Sequence, residues 1–307
     1  MKTCFQIFKV GINELLAFLT TTEHESELIE LMLQRQESFG ECERQLLNKI
    51  ASAKTDRKRY IYTVAIVALY GILERYIDAI IEAFVNRVAS LVNSYEKMPE
   101  VIKKNHVLMS LDLVKAIIAE ERYRKNLTPV DVIGNLHSCL SGAPTFRING
   151  SAFVLHRDIS LDKITGFLTT VGVDAHLRRV TLTPDILDFF QQREPERDIR
   201  KVADQDLMAM LHPINDLVER RNQVSHGVID DIESVELLKE RCCFVDAYGS
   251  ALYNIMLQDV LKYKINHTDV QSLGKPIAVY NNAIACFEKS NCKIAVGDII
   301  VAATHKV

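Results

Sequence analysis

Glycine and proline are both scarce in this sequence of 307 residues, with 12 glycines and 7 prolines. Because both residue types interrupt helices, their scarcity favours long helices and argues against a β-sandwich or a β-barrel. Apolar residues make up 48% of the chain and charged residues 25%, which is typical of globular proteins and argues against general disorder. The sequence therefore predicts a folded, mainly α protein that is long enough for one large domain and a smaller one.

An excess of positive charge is also missing, since the formal net charge is −3. This excludes a nucleic-acid-binding protein whose whole surface is basic, so any contact with a polyanion must be local. Local clusters of lysine and arginine do occur within residues 54–59, 122–125 and 178–179. For each cluster, we expect a solvated surface rather than a binding site for the phosphate groups of a nucleic acid.

Zinc-binding cysteine pairs, export signals and membrane-spanning runs are absent from the sequence as well. The seven cysteines are odd in number and form no C-x-x-C pair, which favours a reducing compartment. The N-terminus has neither the apolar run nor the cleavage site of an export signal. The longest apolar stretch, residues 61–73, is about half of the ~20 residues that span a bilayer, so a buried helix is expected. These features predict a cytoplasmic protein without a membrane segment.

The spacing of apolar residues predicts a series of helices followed by a short β segment. The helices are expected at 25–50 (weakened around Phe39-Gly40), 57–95 (ended by Pro99), 100–120, 129–140, 160–172, 183–192, 203–226 and 233–263. Strands are expected at 277–280, 283–287, 294–296 and 299–302. We expect three units: an N-terminal helical extension (1–54), a helical domain (55–265) and a small β module (274–307) that packs on the helices or is truncated.

The motif Arg221-Asn222-x-x-x-His226 lies at the end of the predicted helix 203–226. At about 100° per residue, Arg221 falls on the apolar stripe of that helix, where a guanidinium needs an anion to meet it. Asn222 and His226 are four residues apart and share a face at the edge of the stripe. Gly227 follows at once, which is typical of a helix C-terminus, where the helix dipole favours an imidazolium.

A cation, an amide and an imidazole in one small volume match the needs of RNA cleavage. RNA cleaves itself without a metal ion once its 2′-hydroxyl is deprotonated and attacks the adjacent phosphorus. Histidine titrates near neutral pH, and the fork of an arginine fits the phosphoryl oxygens. Asn222 could orient the phosphate or the imidazole. The alternative is structural, because an interior arginine can simply pair with a buried carboxylate.

The residues Arg221–Gly227 resemble the R-N-x-x-x-H signature of the HEPN superfamily (higher eukaryotes and prokaryotes nucleotide-binding). The segment Tyr70–Ile77 is similar to the corresponding segment of a bacterial branch, the MAE-type HEPN proteins, and the resemblance covers roughly residues 55–245. It implies a helical bundle, usually homodimeric, with two signatures facing each other across the dimer. Many members of the superfamily are ribonucleases of toxin–antitoxin or antiviral defence systems, whereas some relatives only bind nucleotides or have lost activity.

Glu74 lies on one line with Val67, Gly71 and Asp78 on a helix that is otherwise apolar. A carboxylate in that position is expected to seek a cation. Arg221 is one candidate, and Glu74 would then orient it toward a phosphate. A structural ion pair of Glu74 with Arg75 or Arg87 is the other, and the sequence leaves the two open.

The sequence therefore predicts a HEPN-type helical bundle with additional helices and a small C-terminal β module. The predicted function is metal-independent cleavage of RNA by a homodimeric toxin or antiviral-defence effector, with an antitoxin or defence protein as a further partner. His226 is the expected general base or acid, Arg221 the phosphate clamp, Asn222 an orienting group and Glu74 a support. The other histidines are isolated and no phosphate-binding loop occurs, so no cofactor is expected. The alternative is a non-catalytic helical interaction module or a nucleotide-binding subunit of a defence complex.

Overall fold

The computed structural model describes residues 1–119, 127–154, 159–193, 204–228, 231–267, 273–280, 284–288 and 295. These residues form a helical bundle with one small antiparallel sheet, so the predicted mainly α fold class is confirmed. The helices are α1 (Lys2–Gln34), α2 (Glu41–Ser52), α3 (Lys54–Ala89), α4 (Glu100–Ala119), α5 (Pro129–Leu140), α6 (Leu161–Thr170), α7 (His176–Thr181), α8 (Pro184–Gln191), α9 (Asp204–Met210), α10 (His212–Ser225) and α11 (Val235–His267). Strands β1 (Ala278–Tyr280) and β2 (Ile284–Cys286) pair in antiparallel register, with Val279 opposite Ala285.

Helix α3 is the centre of the bundle, as its apolar sequence predicts. It packs against α1, α10, α11 and the 3₁₀ turn Gly150–Val154. Its buried residues are spread around the helix, among them Ile66, Leu69, Leu73, Ile77 and Phe84. Helix α3 ends at Ala89 rather than near residue 95. A 3₁₀ turn at Tyr95–Lys97 follows, and Pro99 stands directly before α4.

Helix α1 begins at Lys2, far before the helix expected from residue 25. Its inner face is a row of buried residues at helical spacing that joins the core of α3 and α11: Phe8, Ile12, Leu15 and Leu19. The outer face of α1 also has large apolar residues, such as Ile7 and Val10, which blur the pattern in the sequence. A close approach between α1 and α11 depends on Gly249, because a Cβ there would lie 2.4 Å from the ring of Phe8.

The single helix predicted over residues 203–226 was wrong, because the chain forms two helices there. Helix α9 ends at Met210 and α10 begins at His212, with Leu211 buried between them. Pro213 explains the interruption. It has no N–H group to donate to the carbonyl of the preceding turn, and its ring disfavours a continuous helix. Helix α7, of six residues, was not expected from the sequence.

The C-terminal segment is described only in part. Strands β1 and β2 confirm the first two predicted strands. Apart from Ala295, the predicted strands at 294–296 and 299–302 lie outside the described residues. Across the described part of the chain, every helix is too short or too polar to span a lipid bilayer.

Candidate functional site

The C-terminal end of α10 places His226 and Asn222 at the protein surface. His226 caps the helix, and its backbone N–H donates to the carbonyl of Asn222 at 3.0 Å. Gly227 has φ +75° and donates to the carbonyl of Val224, while the N–H of Val228 donates back to Gln223 at 2.9 Å. This pair of bonds is a Schellman motif, which stops the helix at a fixed residue. The side chains of Asn222 and His226 are both exposed at this end.

The guanidinium of Arg221 lies over an aromatic ring rather than against a carboxylate. Its Cζ is 4.5 Å from the centroid of the Tyr70 ring on α3, within the range of a cation–π contact. Its Nη1 donates to the Oδ1 of Asn222 at 3.0 Å. Among the described residues, no carboxylate lies within ion-pair distance of this group. Arg221 and Asn222 therefore hold each other at the surface end of α10.

Arg221 is half-buried and faces Tyr70 of α3, seven residues after the buried Ile214 on the same helix, so it meets an aromatic ring where an anion was expected. The neighbouring Arg220 is half-buried as well, and it has the anionic partners that Arg221 lacks among the described residues. The side chain of Arg220 is 16% exposed and bonds to Asp216 at 3.0 Å and to the hydroxyl of Tyr62 at 3.1 Å.

A cluster of ion pairs surrounds Arg220 and joins α10 to α11. Glu233, whose side chain is 8% exposed, lies 3.3 Å from Arg220 and accepts from the Nε of Arg241 at 2.6 Å. Arg241 also pairs with Asp216. Burial acts to raise the pKa of Asp216, but the two guanidinium groups outweigh it and hold that pKa below its usual value. The cluster supplies the anions that an interior arginine requires.

Glu74 and Arg221 are connected through Tyr70, which contacts both side chains. The Tyr70 hydroxyl donates to the Oε1 of Glu74 at 3.2 Å and accepts from the backbone N–H of Ile159 at 3.1 Å. Neither pairing left open by the sequence, with Arg221 or with Arg75 or Arg87, occurs as an ion pair in the described residues. Arg221 and Glu74 thus contact the same tyrosine, Arg221 at its ring and Glu74 at its hydroxyl, and Asn222 is joined to them through Arg221.

Tyr70 is the member of this group that the sequence analysis did not single out. It is 2% exposed, and burial raises the pKa of its hydroxyl, so that the group remains a protonated donor. The available signal was its place in the apolar run 61–73, because a buried tyrosine hydroxyl needs a hydrogen-bonding partner. That rule requires a partner for Tyr70 but does not say which one.

Two further carboxylates follow Glu74 along α3. Burial raises the pKa of Asp78 to about 7, and the negative charges of Glu74 and Glu82 contribute to the shift. Burial also raises the pKa of Glu82. Both carboxyl groups therefore hold their protons more strongly than exposed carboxyl groups do.

Two of the histidines outside the motif have structural positions, as expected. His106 is fully buried, lies 3.0 Å from the Tyr95 hydroxyl and accepts from the N–H of Asn149 at 3.0 Å. Burial lowers the pKa of both His106 and His176 to about 4. Within the described residues, no three His, Cys, Asp or Glu side chains are grouped as metal ligands would be.

Comparison with known proteins adds one match. A family model described as RiboL-PSP-HEPN matches residues 41–258, a range that includes α3, α10 and most of α11. No curated protein and no solved structure matches the chain. The match agrees with the HEPN superfamily resemblance of the motif, although the matching family is the RiboL-PSP branch rather than the MAE-type branch.

Proposed function

The chain belongs to the RiboL-PSP-HEPN family, and on that premise we propose that it is an endoribonuclease that cleaves RNA without a metal ion. Family membership supports an RNA-related role. The observation that argues most strongly for cleavage is the end of α10. There, Arg221 has no carboxylate partner among the described residues and bonds to the exposed Asn222, and the exposed His226 ends the same helix. A guanidinium without its own anion is available to bind a phosphate.

The proposed reaction is an internal transfer at phosphorus. A general base, His226, removes the proton of the 2′-hydroxyl, and the 2′-oxygen forms a bond to the adjacent phosphorus. The bond from phosphorus to the 5′-oxygen breaks, and that oxygen takes a proton from a general acid. The products are a 2′,3′-cyclic phosphate and a 5′-hydroxyl. Arg221 would stabilise the phosphoryl oxygens, Asn222 would hold the guanidinium and Glu74 would support it through Tyr70.

One imidazole per motif suggests that the working unit has two chains. Removal of one proton and delivery of another is easier with two imidazoles than with one. We therefore propose a homodimer in which the His226 ends of two α10 helices face each other. We further propose that it acts in the cytoplasm as a toxin or antiviral-defence effector, with an antitoxin or a defence protein as its partner.

Incubation of total RNA with the wild-type protein in EDTA tests this function. We expect cleavage to persist and the fragments to end in 2′,3′-cyclic phosphate and 5′-hydroxyl. His226→Ala should lose about 100-fold or more of the rate, the usual contribution of general acid–base catalysis. His212→Ala is the matched control, since it removes an exposed histidine at the other end of the same helix. A strict requirement for added Mg²⁺ or Mn²⁺ would refute the proposed mechanism.

A second candidate function is a non-catalytic helical interaction module or a nucleotide-binding subunit of a defence complex. One observation favours it: α4 and α5, which pack together, each expose large apolar side chains at helical spacing, namely Leu108, Leu111 and Ile118 on α4 and Val130, Ile133 and Leu140 on α5. Apolar surface of this kind is typical of a binding face. If this function is the main one, wild type and His226→Ala will leave RNA equally intact.

A further inference from the structure

Tyr70 touches two of the candidate catalytic side chains at once. Its ring lies under the guanidinium of Arg221, and its hydroxyl bonds to the carboxylate of Glu74. Both contacts come from one side chain that is 2% exposed and fixed in the core of α3. Arg221 lies on α10, so Tyr70 also joins the two helices that form the site.

The ring contact leaves the hydrogen-bonding edge of the guanidinium available. An aromatic face attracts a cation electrostatically and accepts its charge without using its N–H groups as a carboxylate would. Among the described residues, one N–H group of Arg221 is engaged, namely the Nη1 donor that bonds to Asn222. A carboxylate in place of the ring would compete with phosphate for the same donors. An aromatic support can therefore hold Arg221 in position and still leave it able to bind substrate.

The hydroxyl contact fixes the other side of the ring. The backbone N–H of Ile159 donates to the Tyr70 oxygen, so the hydroxyl proton is directed to Glu74. The segment that contains Ile159 is itself tied to α10, because the N–H of Leu161 donates to the side chain of Asn215 at 2.8 Å. The same short segment thus contacts Tyr70 on α3 and the helix that bears the motif.

We propose that Tyr70 is a positioning residue of the RNA-cleaving site, whose ring holds Arg221 for the substrate phosphate and whose hydroxyl orients Glu74. This inference rests on the proposed function. Tyr70 does not touch the substrate itself and acts through Arg221 and Glu74. Its ring and its hydroxyl therefore have separable effects, the first on the binding of phosphate and the second on the rate of cleavage.

Substitutions at Tyr70 and Tyr76 provide a matched test. Tyr76 lies on the same helix, is also 2% exposed and donates its hydroxyl to the carbonyl of Gly249, away from Arg221. Binding of a single-stranded RNA oligonucleotide is measured in the His226→Ala background, well below the melting temperatures of all variants. Tyr70→Leu should weaken binding about tenfold, a fold-change that corresponds to about 1.4 kcal/mol and lies in the cation–π range. Tyr76→Leu should leave binding within twofold.

The conservative variant separates the two contacts. Tyr70→Phe keeps the ring and removes both hydroxyl bonds, so KM for RNA should stay within twofold while kcat falls several-fold. Tyr76→Phe should change neither. If Tyr70→Leu does not fold, a trifluorophenylalanine at position 70 keeps the size of the ring but weakens its negative face. The protein with trifluorophenylalanine at position 70 should then bind RNA more weakly than the Tyr70→Phe protein does.

A double-mutant cycle with Arg221→Ala decides whether Tyr70 acts through Arg221. If it does, Tyr70→Leu has no further effect on RNA binding once Arg221 is gone. If Tyr70→Leu weakens RNA binding equally with and without Arg221, the inference is overturned. It is also overturned if Tyr76→Leu weakens RNA binding as much as Tyr70→Leu does. If the wild-type protein cuts RNA but the cycle shows no coupling between Tyr70 and Arg221, only the role proposed for Tyr70 is refuted. Wild-type protein that neither cuts nor binds RNA would remove the proposed function and the inference with it.

Discussion

At the scale of single residues, two consecutive arginines of α10 have opposite surroundings. Arg220 is enclosed by Asp216, Glu233 and the Tyr62 hydroxyl, whereas Arg221 rests on an aromatic ring and an amide oxygen. Removal of one partner from a buried ion cluster leaves a charge without compensation, while removal of a partly exposed cation does not. The two neighbours should therefore differ in what each contributes to stability and to activity.

Arg221→Ala should abolish RNA cleavage and change the free energy of unfolding by about 1 kcal/mol or less. Arg220→Ala should lower the free energy of unfolding by about 3 kcal/mol or more, because Asp216 and Glu233 would share the single cation of Arg241. Denaturant melts and one cleavage assay on the two variants provide the comparison. An Arg221→Ala protein that melts normally and still cuts RNA would contradict the role of Arg221.

Asp78→Asn should stabilise the protein more at pH 8 than at pH 5. The pKa of Asp78 in the folded protein is about 7, raised from 3.8, so the folded state keeps a proton that the unfolded state has released. Stability is therefore lost as the pH rises from about 4 through 7. The gain from Asp78→Asn should be about 2–3 kcal/mol larger at pH 8 than at pH 5.

The control for this prediction is Asp112→Asn. Asp112 is exposed on α4 and pairs with Lys115, so its substitution should have a small effect that is the same at both pH values. Thermal melts of the three proteins at pH 5 and pH 8 are sufficient. Equal gains from Asp78→Asn at the two pH values would show that the carboxyl group is ionised without penalty in the folded protein.

At the scale of elements, the two ends of α10 are fixed by different features. Pro213 separates its first turn from α9, and the left-handed conformation of Gly227 stops its last turn at His226. The ion cluster around Arg220 then fixes the helix against α11. The length and the rotation of α10 together determine which partners its two arginines meet and where His226 emerges.

Gly227→Ala should destabilise the protein by about 1 kcal/mol and reduce cleavage, because a Cβ is strained at φ +75°. Open space surrounds this glycine, so the strain comes from the backbone and not from a clash. Gly134→Ala is the matched control. Gly134 lies within α5, also faces open space and has an ordinary helical backbone, so alanine there should stabilise by about 0.5–1 kcal/mol. Opposite signs in the two melts are expected, and a neutral Gly227→Ala would argue against the fixed helix end.

At the scale of the whole molecule, the proposed active unit is larger than one chain. If two His226 side chains act together, an excess of His226→Ala chains should suppress wild-type activity by forming mixed dimers. Specific activity should also fall on dilution below the dissociation constant of the dimer. Sedimentation of the wild-type protein over the same concentration range checks that the mass changes with the activity. A monomeric mass with full activity would exclude the dimer.

The division of the chain into units stays a prediction. We propose an extension at 1–54, a HEPN unit at 55–265 and a small β module at 274–307. The family match begins at residue 41 and ends at 258, so it includes α2 and reaches close to the end of α11. Helix α1 shares one apolar core with α3 and α11, and its removal would expose the residues it covers. That packing makes α1 a structural partner of the bundle, whatever boundary is chosen.

Several features of this protein follow from the sequence alone because they depend on neighbours along the chain. The scarcity of glycine and proline and the periodic apolar residues are sufficient to predict a helical bundle with α3 at its centre. The short β-rich runs are sufficient to predict β1 and β2. The motif at 221–226 is local as well, since residues four apart share a face of a helix wherever that helix lies. The end of α10 at Gly227 was likewise expected from the residue type.

Only the tertiary structure decided which groups those local elements meet. On α10, Arg220 meets the ion cluster between α10 and α11, and Arg221 meets the ring of Tyr70 on α3. The partner of Glu74 is the hydroxyl of that same tyrosine, and neither arginine pairing left open by the sequence formed in the described residues. Tyr70 and Arg221 are about 150 residues apart, and contacts at that distance depend on how whole helices pack. A helix pattern fixes which side chains share a face, but the packing of α3, α10 and α11 determines what that face contacts.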